Sequence, residues 1–432
     1  MNSNAIDTLS SPLKLRCGLV LPNRLVKAPM AENMAIPSED NLPNDKHLAV
    51  YRAWSEGEYG MLITGNVEVD PRYLGIPGDI SVLPSALDTP LALSRWTAWA
   101  TAAQASGTPT IVQLNHPGRQ SHPFSGTRSF FSKNIAPSAL PLEFPGSCVD
   151  RLAGKIILGT PKAMTVAEID TLVDQFTLAA KLSKAAGFKG VQIHAAHGYL
   201  LTQFLSPKIN RRADAFGGSA AARLSLLLRI IASVRAATSK EFCIAIKLNS
   251  ADFATMGLEE EEVLHQVEEI SKAGVDLIEI SGGTYEKPLM GASREGPAPP
   301  RQSTVAREAY FAAFAAKARV AAGKDVAIML SGGFRSRLGM AGTITDGSCD
   351  LIGLARPTCL EPQLPKSKLL AKEVTDEDAV VKSFKIVGGW WMKWVPVVGL
   401  RAETAWHEGQ IKRIAAGKEP DGDLALGLGG LM

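Results

Sequence analysis

His194 and His197 stand three residues apart in the run His194-Ala195-Ala196-His197-Gly198-Tyr199. Two imidazoles at this spacing admit three readings: satisfied core histidines, a metal pair, or two donors to an oxygen that gains negative charge during a reaction. No carboxylate stands in His-Glu-x-x-His spacing, which weighs against the metal. The residues alone leave all three open. A second group is Ser331-Gly332-Gly333 with Gly353 and Arg356. Glycines let backbone N–H groups approach phosphate oxygens, and an arginine can grip a phosphate with two parallel hydrogen bonds. Each glycine pair alone reads first as a tight turn; the phosphate reading comes from their joint placement. A third group is scattered: Ala28-Pro29-Met30, Gln113 with His116, Lys247 with Asn249, and Ser281-Gly282-Gly283.

Every one of these groups follows or ends a short apolar run. The runs are Arg24–Met30, Met61–Asn66, Thr110–Leu114, Gly190–His194, Cys243–Leu248, Asp276–Ile280, Val326–Leu330 and Asp350–Leu354. Apolar strands of this length suit a parallel sheet covered on both faces. Helical patterns lie between them, at Thr165–Gly187, Ala220–Ala237, Leu258–Gly274 and Arg307–Ala322. The first opens on a Thr165-x-x-Glu168 capping box. Eight strands alternating with helices predict an α/β fold, a single (β/α)8 TIM barrel, over residues 1–360. No G-x-G-x-x-G opens a helix after an early strand, which disfavours a doubly wound dinucleotide fold. In such a barrel the active site gathers at the C-terminal strand ends, and strands seven and eight commonly hold a phosphate. The spacing is uneven. Residues 115–165, rich in Pro, Gly and Ser, read as a long excursion after strand 3 that caps the mouth. Residues 361–432 form a C-terminal extension holding Trp390, Trp391, Trp394 and Trp406, expected to pack on the barrel or on a dimer partner.

Bulk properties narrow the function. The 432 residues are 46% hydrophobic and 21% charged, with net charge +3. That is too mild a charge to argue for nucleic acid. Cys17, Cys148, Cys243, Cys349 and Cys359 form no C-x-x-C, so no zinc site, iron–sulfur cluster or disulfide framework is expected, and no metal. The start carries no basic-then-apolar signal. The apolar stretch Ile386–Leu400 is shorter than the roughly 20 residues a spanning helix needs. A cytoplasmic protein with no membrane contact is the expectation.

Four long motifs stand in order along the chain: Leu21-Pro22-Asn23-Arg24 with Ala28-Pro29-Met30; Gln113-Leu114-Asn115-His116-Pro117-Gly118-Arg119; His194 to Leu200 with Gln203-Phe204-Leu205-Ser206-Pro207; and Asn210-Arg211-Arg212 with Phe216-Gly217-Gly218-Ser219. Together they resemble the Old Yellow Enzyme family of NADH:flavin oxidoreductases, in its thermophilic-like or fungal branch. The resemblance runs from about residue 11 to residue 360. It implies FMN as cofactor and NADPH or NADH as reductant. Ala28, Pro29 and Met30 would line the flavin ring, Gln113 would bond its pyrimidine edge, and Lys247 would stabilise the anionic reduced form. Ser331, Gly332, Gly333, Ala355 and Arg356 would hold the phosphate. The implied substrate is an α,β-unsaturated carbonyl compound, with His194 and His197 on its oxygen and Tyr199 as proton donor.

Two departures bear on substrate choice: Ala31 stands where relatives often have Thr or Cys, and Asn33 where bacterial relatives often have Tyr. The second strand's Gly65-Asn66 also differs from the common pattern. The alternatives are a flavin-dependent tailoring enzyme or isomerase of a secondary-metabolite pathway, a passive flavin binder, and a lyase using Lys247 as a Schiff base. A possible homodimer is left open.

Overall fold

The computed structural model describes residues 3–123, 125–129, 131–142, 159–249, 258–281, 314–381 and 396–422. Eight parallel strands close on one another. They are β1 (Leu25–Lys27), β2 (Met61–Glu68), β3 (Thr110–Asn115), β4 (Gly190–Ala195), β5 (Cys243–Asn249), β6 (Leu277–Ser281), β7 (Ala327–Ser331) and β8 (Leu351–Leu354). Each pairs with the next, and β8 returns to β1 through Ile352–Leu25 and Leu354–Lys27. All eight expected strands are present. The first is shorter than the apolar run suggested, because Pro29 has no N–H to give a ladder.

Alternation along the strands builds two separate cores. Val26, Met61, Ile63, Ile111, Ala245, Leu277, Met329 and Leu351 point into the barrel. Their neighbours Leu25, Leu62, Val112, Ile244, Ile246, Ile278, Ile328 and Ile352 face the helices. The N-terminal end is closed by a hairpin, Leu13–Lys14 paired antiparallel with Val20–Leu21, which packs Leu15 and Leu21 beneath the inner residues.

The helices carry the caps their sequences demand. Val166–Ala185 has the Thr165–Glu168 capping box, and Ala220–Ala237 starts on Ser219, whose hydroxyl accepts the Ala222 N–H. Asp45–Ser55 starts on an unforeseen box, in which His47 takes the place of the usual Glu and its Nδ1 accepts the Asn44 N–H. Of the expected helix Arg307–Ala322, residues 314–322 are helical and 307–313 lie outside the described residues. In the excursion after β3, Ile135–Ala136 pairs with Lys162–Ala163, while residues 143–158 lie outside the described residues. So do Cys148, Gly282, Gly283, Trp390, Trp391 and Trp394. A C-terminal helix, Pro396–Ala415, lies against Asp45–Ser55 and the 3-10 turn Arg356–Cys359. Its Trp406, His407 and Gln410 are buried. No described helix is long and apolar enough to cross a membrane.

Candidate active site

Above the apolar inner layers the barrel interior turns polar. Gln113 on β3 donates from Nε2 to Gln192 Oε1 on β4 at 2.7 Å. Gln192 donates from its own Nε2 to Glu279 Oε2 on β6 at 2.8 Å. Glu279 Oε1 meets Lys247 Nζ on β5 at 2.9 Å, with both side chains buried. Four strands thus contribute one connected layer. Gln113 and Lys247 were singled out in the sequence; Gln192 and Glu279, which join them, were not. The available signal was period two: each lies two residues before a rim residue, His194 or Ser281, and so shares its face.

One layer higher sit the histidines. His194 is buried, and its Nδ1 accepts the Ala196 N–H at 3.1 Å. Its Nε2 faces His197 Nδ1 at 3.2 Å, and His197 Nε2 faces Ser281 Oγ at 3.1 Å. Burial holds both imidazoles well below their ordinary pKa, and the Lys247 charge pushes the same way. Both are therefore neutral, with one N–H each. The Ala196 N–H occupies His194 Nδ1, so the His194 proton sits on Nε2 and points at His197 Nδ1. His197 then carries its own proton on Nε2, toward Ser281. The tautomers follow from one backbone N–H. Among the described residues no carboxylate bonds to either ring, which fits donors to an oxygen better than metal ligands. Tyr199 stacks edge-on against His194, with ring centres 5.0 Å apart at 89°.

The three-residue spacing works because the chain turns sharply. His197 adopts φ 59° and Gly198 φ 75°, a conformation that costs a non-glycine residue about 1 kcal/mol or more. Asn249 Oδ1 accepts the His197 N–H at 2.9 Å. Gln120 Nε2 donates to the carbonyls of His197 and Gly198, and Gln203 Nε2 to that of Gly198 at 2.8 Å. The motif after β3 and the motif after β4 are thus one unit. Gly118 fits because an added Cβ would lie 2.6 Å from Gln203 Oε1. Asn210 and Asn23 of the motifs fasten backbone to backbone. Asn210 Nδ2 ties the carbonyls of Phe204 and Phe216, each at 2.7 Å. Asn23 Nδ2 donates to the Glu58 carbonyl at 2.8 Å.

Ala28, Pro29 and Met30 leave β1 at the same rim. Ala28 is buried and Met30 half-buried. Their loop rests on β2 at Gly65, where a Cβ would lie 2.4 Å from the Met30 carbonyl oxygen. Hence the departure at Gly65 is a close backbone approach. Behind the loop lies a group the sequence did not reveal. Lys27 is fully buried on the outer face of β1, 4.0 Å from the centre of the Trp54 ring, and burial lowers its pKa to about 8. Glu32 accepts hydrogen bonds from the Tyr51 hydroxyl and the Gly65 N–H, and burial raises its pKa.

Across the mouth, Ser331 stands opposite Gly353. A Cβ on Gly353 would fall 1.9 Å from Ser331 Oγ, so only glycine fits beside that hydroxyl. Gly332 and Gly333 take φ 118° and 79° and are exposed, with open space at Gly332. Ala355 and Arg356 are half-buried at the start of the 3-10 turn after β8. Among the described residues, the buried rim atoms Ser331 Oγ and Asn249 Nδ2 have no hydrogen-bond partner. Orphaned polar atoms, glycine backbone, an amide and a cation on one rim fit a phosphorylated, planar, polar-edged cofactor such as FMN.

A family model described as NADH:flavin oxidoreductase / NADH oxidase matches residues 8–374. An NADH-dependent flavin oxidoreductase of Hypocrea jecorina (strain QM6a) is 43% identical over 397 residues, covering 90% of this chain and 96% of the relative. Another of that description, from Talaromyces variabilis, is 40% identical over 412 residues, covering 94% and 98%. A solved structure of morphinone reductase in complex with tetrahydroNAD matches with TM-score 0.65 at 24% identity, over 83% of this chain and 89% of the other. That likeness speaks to the fold, and the sequence relatives speak to the chemistry. With a barrel whose rim suits FMN and relatives that oxidise a nicotinamide, the chain belongs to the NADH:flavin oxidoreductase / NADH oxidase family, the Old Yellow Enzyme group, as an FMN-dependent NAD(P)H oxidoreductase.

Proposed function

We propose that this enzyme reduces activated carbon–carbon double bonds of α,β-unsaturated ketones, aldehydes or imides. The observation that carries the reading is the hydrogen-bonded His194–His197 pair, held by backbone and Asn249, with Tyr199 against it. FMN, when bound, supplies the hydride it has taken from NAD(P)H. Ala28, Pro29 and Met30 would line its ring, Gln113 and Lys247 its pyrimidine edge, and Ser331, Gly332, Gly333, Ala355 and Arg356 its phosphate.

The protein's own work is on the substrate oxygen and one proton. His194 Nε2–H is the donor that a carbonyl oxygen would take from His197. For His197 to add a second bond through Nδ1, its proton moves there from Nε2, and the Ser281 hydroxyl turns to donate to Nε2. Hydride arriving at the β-carbon drives electron density onto the carbonyl oxygen, where both donors strengthen. The Tyr199 hydroxyl gives its proton to the α-carbon, so the double bond gains one hydride and one proton.

Anaerobic stopped-flow at the flavin band tests this. NADH or NADPH should bleach the enzyme, and an enone or maleimide should recolour it. Tyr199→Phe should slow recolouring about 10²-fold or more while leaving bleaching unchanged. If no enone, enal or imide recolours the flavin faster than dioxygen, the proposal fails.

A further inference from the structure

The polar layer beneath the histidines has a feature that the proposed chemistry does not use. Lys247 is not a lone cation: Glu279 is bound to it at 2.9 Å, fully buried. Charges so placed are screened little, and each acts strongly on any group above them. A cation under a flavin favours the negatively charged reduced form; a carboxylate beside it opposes that. The layer Gln113–Gln192–Glu279–Lys247 carries one positive and one negative side chain.

The same carboxylate also sets the direction of the hydrogen bonds. An ionised carboxylate only accepts. Gln192 must therefore turn its NH2 group to Glu279 Oε2, which leaves its Oε1 facing β3. Gln113 must in turn give an N–H to that oxygen. The amide oxygen of Gln113 and its second N–H are what remain for a ligand. Reversing Gln192 would place its oxygen against the carboxylate, two acceptors face to face.

We infer that Glu279 is a positioning residue that sets the reduction potential of the bound flavin, by offsetting the Lys247 charge and by orienting Gln113 through Gln192. The inference rests on the reading that places FMN beside Lys247 and Gln113. Glu279 acts at a distance, so the effect is on the cofactor's poise and not on the hydride acceptor.

The test is an anaerobic reductive titration of the FMN-loaded protein against a reference dye. Glu279→Gln is nearly isosteric and keeps an acceptor for Lys247. It should stabilise reduced over oxidised flavin about tenfold, read as a positive shift of about 30 mV for a two-electron couple. The double variant Glu279→Gln with Gln192→Glu restores one carboxylate to the layer and should bring the potential back toward the parent. Lys247→Met should shift it negative. An unchanged or negative potential in Glu279→Gln, with Lys247→Met shifted negative, overturns the inference and leaves the placement of FMN standing. An unmoved potential in Lys247→Met overturns both. If Glu279→Gln fails to fold, Lys247→Met with Glu279→Leu removes the pair together: a potential closer to the parent's than that of Lys247→Met alone supports the inference, and one equal to that of Lys247→Met overturns it.

Discussion

The two ends of this barrel are built to opposite rules. The floor is apolar and closed: Leu15 and Leu21 pack under Val26, Met61, Ile111 and Leu351. At the mouth, the chain bends through φ 59° at His197 and 51° at Asn33, and Ser331 Oγ and Asn249 Nδ2 are buried without partners among the described residues. Backbone strain and unsatisfied buried groups each cost on the order of 1–3 kcal/mol. The floor and the outer helical core must supply that stability. Those at Ser331 and Asn249 sit where a ligand can relieve them, whereas the left-handed backbone at Glu58 and the Tyr59 hydroxyl, ahead of β2, belong to the fold alone.

The sharpest break in the comparison is at the floor. Leu21 is fully buried. Leu21→Ala should cost about 3 kcal/mol, from lost burial and the cavity left behind. Thermal or denaturant unfolding reads the loss. The bleaching and recolouring rates of the surviving folded enzyme should stay within twofold. A rate loss matching the stability loss would show that the floor and the mouth are not separable.

The division between ends also explains what was legible in sequence. The eight strands were, because apolar runs of fixed length ending in Gly or polar residues mark βα units whatever packs around them. The His194–Tyr199 motif was, because its spacing is local. Glu279 was not: within Leu277–Ser281 it reads as one acid in an apolar strand, and only the β5–β6 register, Lys247 opposite Glu279, shows its partner. Lys27 and Glu32 escaped for a similar reason. A lysine flanked by valine and alanine reads as a solvated edge, and nothing local reveals that Trp54 and Tyr51, from the next helix, enclose it.

A second difference concerns acid. His47, His116, His194 and His197 lie at or behind the mouth, and burial lowers the pKa of each, His47 to about 3 and His116 to about 4. Below the ordinary histidine value of 6.5 the unfolded chain binds protons that the folded chain refuses. The unfolded state then holds more protons, so stability rises with pH through this window and falls on acidification. Buried Glu32 and Glu68 have raised pKa values and stay protonated above their unfolded value of 4.5, which offsets part of the slope. His47→Gln isolates one site, since Gln can keep the capping role at the start of Asp45–Ser55. Between pH 6.5 and about 3 the slope of stability against pH should fall by about 1.4 kcal/mol per unit. Urea melts across that range measure it. An unchanged slope would mean that His47 already protonates in the folded state.

The smallest expected effect joins the C-terminal helix to the mouth. Asn33 Nδ2 donates to Glu408 Oε2 at 2.8 Å, and Asn33 holds a left-handed backbone. Two glycine-sensitive terms are mixed there, and two substitutions separate them. Asn33→Gly removes the hydrogen bond but suits the backbone, and should cost about 1 kcal/mol or less. Asn33→Ala removes the same bond and adds the left-handed penalty, about 1 kcal/mol more. Because Asn33 lies three residues past Met30, both should also change KM for the oxidising substrate more than the rate of bleaching by NADH. Equal stabilities for the two variants would show that the helix, through Glu408, imposes the loop's backbone; a gap of about 1 kcal/mol would show that the loop carries its own strain and the helix only fastens it.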